Sequence, residues 1–334
     1  MDPTHSTRPV VQTSPNRSAF TLVELLVVIA IIATLIGLLL PAVQAARASA
    51  RRMQCQNNLR SLAQGVLLYE SANKGYPPGA TTNGSGCQET AYGWGALILP
   101  FIEETPLFEQ LNPTSGTPQK DAAAQPLMGT PLKGFRCPED VGPATCNDPV
   151  ASSQKSGWQY IANGGLSNYV AAHRAVTGTR TDCVFSGRED SKRGGFLMNK
   201  KTKVSDIKDG TSKSIALSER VWLFPTGRSS VKVYAATWAG SASARMDKEW
   251  AQSVGFAPSR PINDLESSRT HSALSSLHPG GGVNSVAFDG SVRFLSDSID
   301  HYIDPRYSKD PDNELVDSVF EYLIAIDDGQ SASF

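Results

Sequence analysis

Charge of one sign is missing from this chain: 31 Lys and Arg face 32 Asp and Glu, for a formal net charge of −1. That balance argues against a nucleic-acid binder, whose affinity rests on neutralising phosphates with a basic surface. Internal repeats are absent, which excludes a solenoid. Regular alternation of strands with long helices is absent too, which excludes a doubly wound sheet. There is no G-x-S-x-G to place a nucleophile on a strained turn. The histidines His173, His271 and His278 keep no H-x-x-x-H spacing, so no zinc motif is legible. Five cysteines are an odd number, so a complete disulfide framework cannot be assumed. With 40% apolar and 19% charged residues, the chain is not disordered as a whole. Its 334 residues make one large or two modest domains.

What is present is concentrated near the start. Phe20 to Leu40 reads FTLVELLVVIAIIATLIGLLL, with one acid, Glu24, and no base. As a helix this run is about 31 Å long, the thickness of a bilayer's hydrocarbon core. A secretory signal peptide is the competing reading. The run exceeds the usual apolar core of about 7–15 residues, and no A-x-A site precedes a polar start. The reading is a membrane-spanning helix over residues 20–40. An acid inside such a span needs a functional reason, because an unpaired charge there costs several kcal/mol.

Beyond Leu40, Pro41 offers a kink, but residues 42–72 are rich in helix formers. Cys55, Leu59, Leu62, Val66 and Tyr69 recur at helical spacing and share one face. That face predicts packing on a globular body, with Asn73-Lys74-Gly75 as the stop. The body, residues 75–334, is large enough for a sizeable core. A short helix is expected within Gly93–Glu104, and strands at Ser167–Ala172, Ser214–Ser218 and Val231–Trp238. Near the end, Asp289-Gly290 between two apolar-alternating runs predicts a two-residue type I′ hairpin within residues 278–299. Gly280 and Gly281, with Gly282, let the backbone turn sharply before it. The fold class is α+β: a long N-terminal helix on an antiparallel β body with loop insertions.

The segment Ser18-Ala19-Phe20-Thr21-Leu22-Val23-Glu24-Leu25 resembles the processing motif of type IV pilins and type II secretion pseudopilins. The resemblance implies residues 1–19 as a leader and cleavage between Ala19 and Phe20 by a prepilin peptidase, followed by methylation of Phe20. The family prefers Gly before the cut, where this chain has Ala19. It also implies that Glu24 pairs with the amine of a neighbouring pilin-like subunit. The amine of Phe20 in the same chain is held by the same helix, so an isolated subunit is expected to leave Glu24 unsatisfied. Arg8 and Arg17 precede the span, and Arg47, Arg51, Arg52 and Arg60 follow it, a count that opposes the positive-inside rule. Long domains translocate regardless of such counts, and the motif implies an extracytoplasmic body. The expected location is the cytoplasmic (inner) membrane, single-pass, or a cell-surface filament.

The body resembles a second family, the domain-of-unknown-function family numbered 1559, a planctomycete-type group that couples a pilin-type N terminus to a C-terminal His…Asp-Gly hairpin. The matching segments are Phe20–Asn73, Gly93–Glu104, Phe135–Asp140, Ser167–Val170, Asp206–Glu219 and His278–Ile299. Ten residues separate His278 from Asp289 here, where the family label has nine. His278 and Asp289 are read as structural parts of the loop and hairpin. With Cys55 on the apolar helix face and Cys137 in a matching segment, Cys55–Cys137 is the candidate disulfide. Cys87, Cys146 and Cys183 would then allow one more. The alternative is that Cys55 is simply a small buried apolar residue. Asp310, Asp312 and Glu314, with neighbouring acids, resemble the calcium loop of major pseudopilins. They lack the EF-hand glycine, so a solvated acidic loop is the favoured reading and no metal or cofactor is expected.

Two function classes remain open: a non-enzymatic pilin or pseudopilin-like structural subunit, and a membrane-anchored ligand-binding module that uses the helix only for export. The first prediction concerns processing. Intact-mass and N-terminal analysis of native protein should find a chain beginning at methylated Phe20, and a main species retaining Met1 would refute it.

Overall fold

The computed structural model describes residues 21–81, 91–113, 124–147, 161, 163–173, 193–226, 229–233, 235–241, 255–256, 261–264, 273–301 and 318–330. Ala19, Phe20, Cys87, Cys183, His271, Asp310, Asp312 and Glu314 lie outside them. The chain divides into two compact units, residues 1–47 and 48–334.

Helix α1 (Leu22–Asn73) runs 52 residues and continues through Pro41. In the first unit its large apolar side chains, Leu22 to Val43, are exposed on every side. A helix apolar all round belongs in an apolar solvent. Among the described residues it is the one helix long and apolar enough to cross a membrane.

In the second unit the same helix becomes one-sided. Cys55, Leu59, Leu62, Val66 and Tyr69 are all buried, together with Ala63 and Gly65. Gly65 is required where a 3-10 turn at Leu99–Ile102 crosses the helix, since a Cβ there would lie 2.7 Å from Ile102 Cγ2. The helix ends at Lys74, not at a glycine. Lys74 takes the left-handed conformation at φ 60°, and Gly75 N–H donates to Glu70 O at 3.2 Å, a Schellman closure.

The short strands β1 (Ala80–Thr81), β2 (Ala91–Gly93) and a later partner β9 (Gly240–Ser241) form one small antiparallel sheet. The short helix expected in Gly93–Glu104 is α2 (Trp94–Leu97), followed by the 3-10 turn. Helices α3 (Thr105–Leu111) and α4 (Ala124–Met128) complete this layer. Strand β3 (Leu166–Ser167) pairs with β8 (Ala236–Thr237), and β6 (Leu223–Thr226) with β7 (Ser229–Lys232). The single strand expected over Val231–Trp238 is therefore two strands in different sheets. The reason shows in the burial: Val233, Ala235, Ala236 and Trp238 are all buried, so the chain lacks the alternation of one half-covered strand.

The central sheet has five strands in the order β10-β4-β5-β11-β12, where β4 is Tyr169–Ala172, β5 Ile215–Glu219, β10 Gly255–Phe256, β11 Gly282–Ala287 and β12 Val292–Ser296. All its pairings are antiparallel except the short β10–β4 contact, which is parallel. Tyr169, Ala171, Leu217 and Val286 pack with the buried face of α1. From the opposite face Val170, Ala172, Val283 and Leu295 pack with Phe320, Leu323 and Ile324, around α5 (Val319–Tyr322). The sheet is thus the middle of three layers.

The β11–β12 hairpin forms at the expected place with a different turn. Val286 faces Val292, Gly290 N–H donates to Ala287 O at 2.9 Å, and Ala287 N–H to Ser291 O at 3.0 Å. Gly290 has φ 85°, while Asp289 is not among the positive-φ residues. A type I′ turn would need both positive; this is a three-residue loop with glycine in the left-handed position. Asp289 stays in an ordinary conformation because its carboxylate accepts the Ser291 N–H at 2.8 Å and its own N–H donates to Thr211 O at 3.0 Å.

After α5 the chain is pinned by Asp209, whose carboxylate accepts the N–H groups of Asp328 and Gly329, both at 3.1 Å. Burial, reinforced by the Asp209 charge, raises the Asp328 carboxyl from 3.8 to about 6. A raised acid binds its proton more tightly in the folded chain. Its contribution is complete below 3.8 and lost as pH rises through about 6. Unfolding titrations should show wild-type stability falling across that window, and Asp328→Asn should flatten the slope. An unchanged slope would refute the assignment.

Candidate functional site

The first functional position is the start of α1. Thr21 sits just before the helix and Glu24 three residues on. Thr21 N–H and its hydroxyl both donate to Glu24 Oε2, at 2.9 and 2.8 Å, and Glu24 N–H donates to Thr21 Oγ1 at 3.2 Å. This is a reciprocal capping box, which satisfies donors that a helix start otherwise leaves open. Its own N-cap residue thus gives Glu24 two neutral hydrogen-bond donors within the isolated chain, a contact the sequence reading did not include. The signal was legible as T-x-x-E ahead of an apolar run. Ala19 and Phe20, the processing pair, lie outside the described residues.

The second position lies in the body, where four side chains distant in sequence converge. Helix α1 carries Cys55 into the core, and the buried turn after Phe135 carries Cys137. The two are joined by a disulfide. His278 enters from the loop before β11, and Glu219 ends β5. His278 Nε2 lies 3.1 Å from Glu219 Oε2 and 3.9 Å from Cys137 Sγ. All four groups are buried, and their ligand-type atoms lie within 4.8 Å of one another.

A buried carboxylate must be met by donors, or its desolvation dominates. Glu219 is met by Asn284, whose N–H donates to Oε2 at 2.8 Å and whose amide Nδ2 donates to both oxygens at 3.0 and 3.1 Å. Asn284 Oδ1 in turn accepts from Gln56 Nε2 of α1 at 3.0 Å. The phenol of Tyr169 donates to Cys55 O at 3.1 Å, and burial pushes it well above 10, so it stays a donor at neutral pH. Asn168 takes the Cys137 N–H at 3.0 Å and donates to Asp140 at 2.6 Å. Glu219, Asn284 and Gln56 were missed from sequence. The available signal was a Glu-Arg pair breaking the apolar stretch around Leu217 and Val221.

The glycine loop is closed by Ser276, whose hydroxyl donates to Gly282 O and accepts the His278 N–H at 3.1 Å. The His278 ring is therefore turned inward to Glu219, and the loop bracing comes from Ser276. Gly280, Gly281 and Gly282 all have positive φ, and a Cβ at Gly282 would strike Leu295 O. His278 and Asp289 share no hydrogen bond or ion pair. The first belongs to the buried cluster and the second to the hairpin turn.

Residues 14–40, which include Glu24 and the whole apolar run, match the prokaryotic N-terminal methylation motif. Joined to an α+β body of mainly antiparallel sheets, that motif makes the chain a type IV pilin-like, prepilin-type protein. Residues 44–302, more than half of the chain, match the family described as Protein of unknown function (DUF1559), and the chain belongs to that family. No curated protein and no solved structure matches it. The motif implies processing by prepilin peptidase and association with pilin subunits.

The disulfide closes a loop with a sequence separation of 82. In the chain-entropy account, a crosslink over such a loop contributes roughly 4 kcal/mol by restricting the unfolded chain. Denaturant unfolding of the reduced full-length protein in detergent should show a loss of that order. A loss under about 1 kcal/mol would remove the disulfide from the main supports of the body.

Proposed function

We propose that this chain is a non-enzymatic pilin-like structural subunit. It is exported and anchored through residues 20–40, it carries the body from residue 75 outside the cytoplasmic membrane, and it assembles with like subunits through Glu24. The observation that carries this reading is the coincidence of an acid with an apolar run inside the methylation motif. The disulfide supports an oxidising compartment for the body. A charge left in the span is costly, and a neighbour offset along the helix axis could bring its amine alongside Glu24 and fix the stagger between subunits.

The capping box sharpens the test, because Glu24 now has two separable tasks. Gln is as good as Glu at this capping position, so Glu24→Gln keeps the helix start and removes only the charge. Thr21→Ala removes the cap hydroxyl, at a cost of about 1 kcal/mol, and keeps the charge. Crosslinking between spans in native membranes should fall about tenfold or more in Glu24→Gln, the equivalent of losing at least 1.4 kcal/mol of pairing. It should survive in Thr21→Ala. The reverse pattern, Glu24→Gln assembling as well as wild type, would reduce Glu24 to a helix cap and end the assembly reading.

A further inference from the structure

The buried cluster holds more ligating chemistry than a structural disulfide needs. Two sulfurs, an imidazole nitrogen and a carboxylate lie within 4.8 Å of one another, with no solvent contact of consequence. Zinc takes four such ligands in a tetrahedron with bonds of about 2.0–2.3 Å, which sets ligand–ligand edges of roughly 3.3–3.8 Å. The contacts of His278 Nε2 with Glu219 at 3.1 Å and with Cys137 Sγ at 3.9 Å are already on that scale. The sulfur–sulfur bond is far shorter than such an edge, and reduction would release it, while the 4.8 Å limit on the whole cluster leaves about 1 Å for its wider pairs to close on a cation.

We propose that the reduced chain uses Cys55, Cys137, His278 and Glu219 as a site for a borderline-soft divalent cation such as zinc, so that metal and disulfide compete for the same two sulfurs. The supporting shell is present. Asn284 holds both oxygens of Glu219 through its N–H and its amide, and Gln56 orients Asn284. Among the described residues His278 Nδ1 is buried with no hydrogen-bond partner, so it is open to carry the ring proton when Nε2 takes a cation, and the supporting hydrogen bonds are those on Glu219. Because every ligand is buried, the cation must enter as the body folds and cannot diffuse into the finished core.

The chemistry balances with a dithiol as reductant. The dithiol gives up two electrons and two protons and becomes a disulfide; the Cys55–Cys137 bond breaks and yields two thiols. Zinc then displaces two protons to form two Zn–thiolate bonds, with no change in its own oxidation state. The sequence of compartments follows from this exchange. A chain folding in a reducing compartment closes its body around a metal, and one folding in an oxidising compartment closes it with the disulfide. The inference does not depend on the filament reading, since its ligands all lie in the body.

The test uses the full chain carrying Cys87→Ser and Cys183→Ser, to remove two other thiols. One preparation is made in a reducing cytoplasm with zinc in the medium, and one is exported to an oxidising compartment. Metal content after desalting should be about one zinc per chain in the first and near zero in the second. Cobalt in place of zinc should give a thiolate-to-cobalt charge-transfer absorption. Adding Cys55→Ala and Cys137→Ala should abolish uptake in the reducing preparation. Less than about a tenth of an equivalent of zinc in the reduced chain, or equal uptake by the alanine variant, would overturn the proposal. If the alanine variant does not fold, wild-type chain decides the matter alone: the reduced chain unfolded and refolded with zinc should melt at a higher temperature than the same chain refolded with a chelator, and equal melting temperatures would overturn the proposal.

Discussion

A single buried carboxylate constrains most of the body. Glu219 cannot stay in the core unless donors meet it, and the groups that do, Asn284 and His278, come from one segment about 60 residues further along the chain. Asn284 fixes the register of β11 against β5, His278 meets the carboxylate from the loop that Ser276 closes, and Gln56 ties Asn284 to α1. A network satisfied in this way is worth little as attraction but specifies one arrangement strongly, because any slip of register leaves a charge unpaired. The disulfide beside it secures the same helix to the same layer by a covalent route.

Around that point the helix α1 serves two solvents with one backbone. Before residue 48 its apolar residues face outward on all sides; beyond, only one stripe is apolar and the body covers it. The change of pattern along one helix makes both anchoring and docking available without a second element. Glu24 stands at the start of the lipid-suited half, and its capping role explains how the acid is tolerated there before any partner arrives. A cap and an intersubunit pair are compatible uses of one carboxylate, since two oxygens accept more bonds than Thr21 supplies.

The aromatic side chains show a different constraint. Trp238, Phe135, Trp94, Phe196, Phe288 and Tyr76 form one continuous chain of ring contacts through the core, with neighbouring centroids 4.8 to 6.2 Å apart. Phe288 belongs to the hairpin turn, yet it is buried, and the Tyr76 phenol donates to its carbonyl at 3.1 Å.

Local periodicity determined a good deal by itself. The apolar run, the buried stripe Cys55–Tyr69 and the place of the hairpin all follow from spacing and turn chemistry, which act between near neighbours; the strand expected over Ser167–Ala172 is divided, Ser167 ending β3 and Tyr169–Ala172 forming β4. The capping box at Thr21 was equally local. What only the tertiary structure decided involves residues far apart in the chain: the arrival of Glu219 and His278 beside the Cys55–Cys137 disulfide that the sequence reading had named, the splitting of Val231–Trp238 between two sheets, and the parallel β10–β4 contact. No sequence spacing encodes these, because they depend on which buried groups remain to be satisfied once the layers have packed. A carboxylate with no water must take its donors wherever the chain can bring them, and that choice is made in three dimensions.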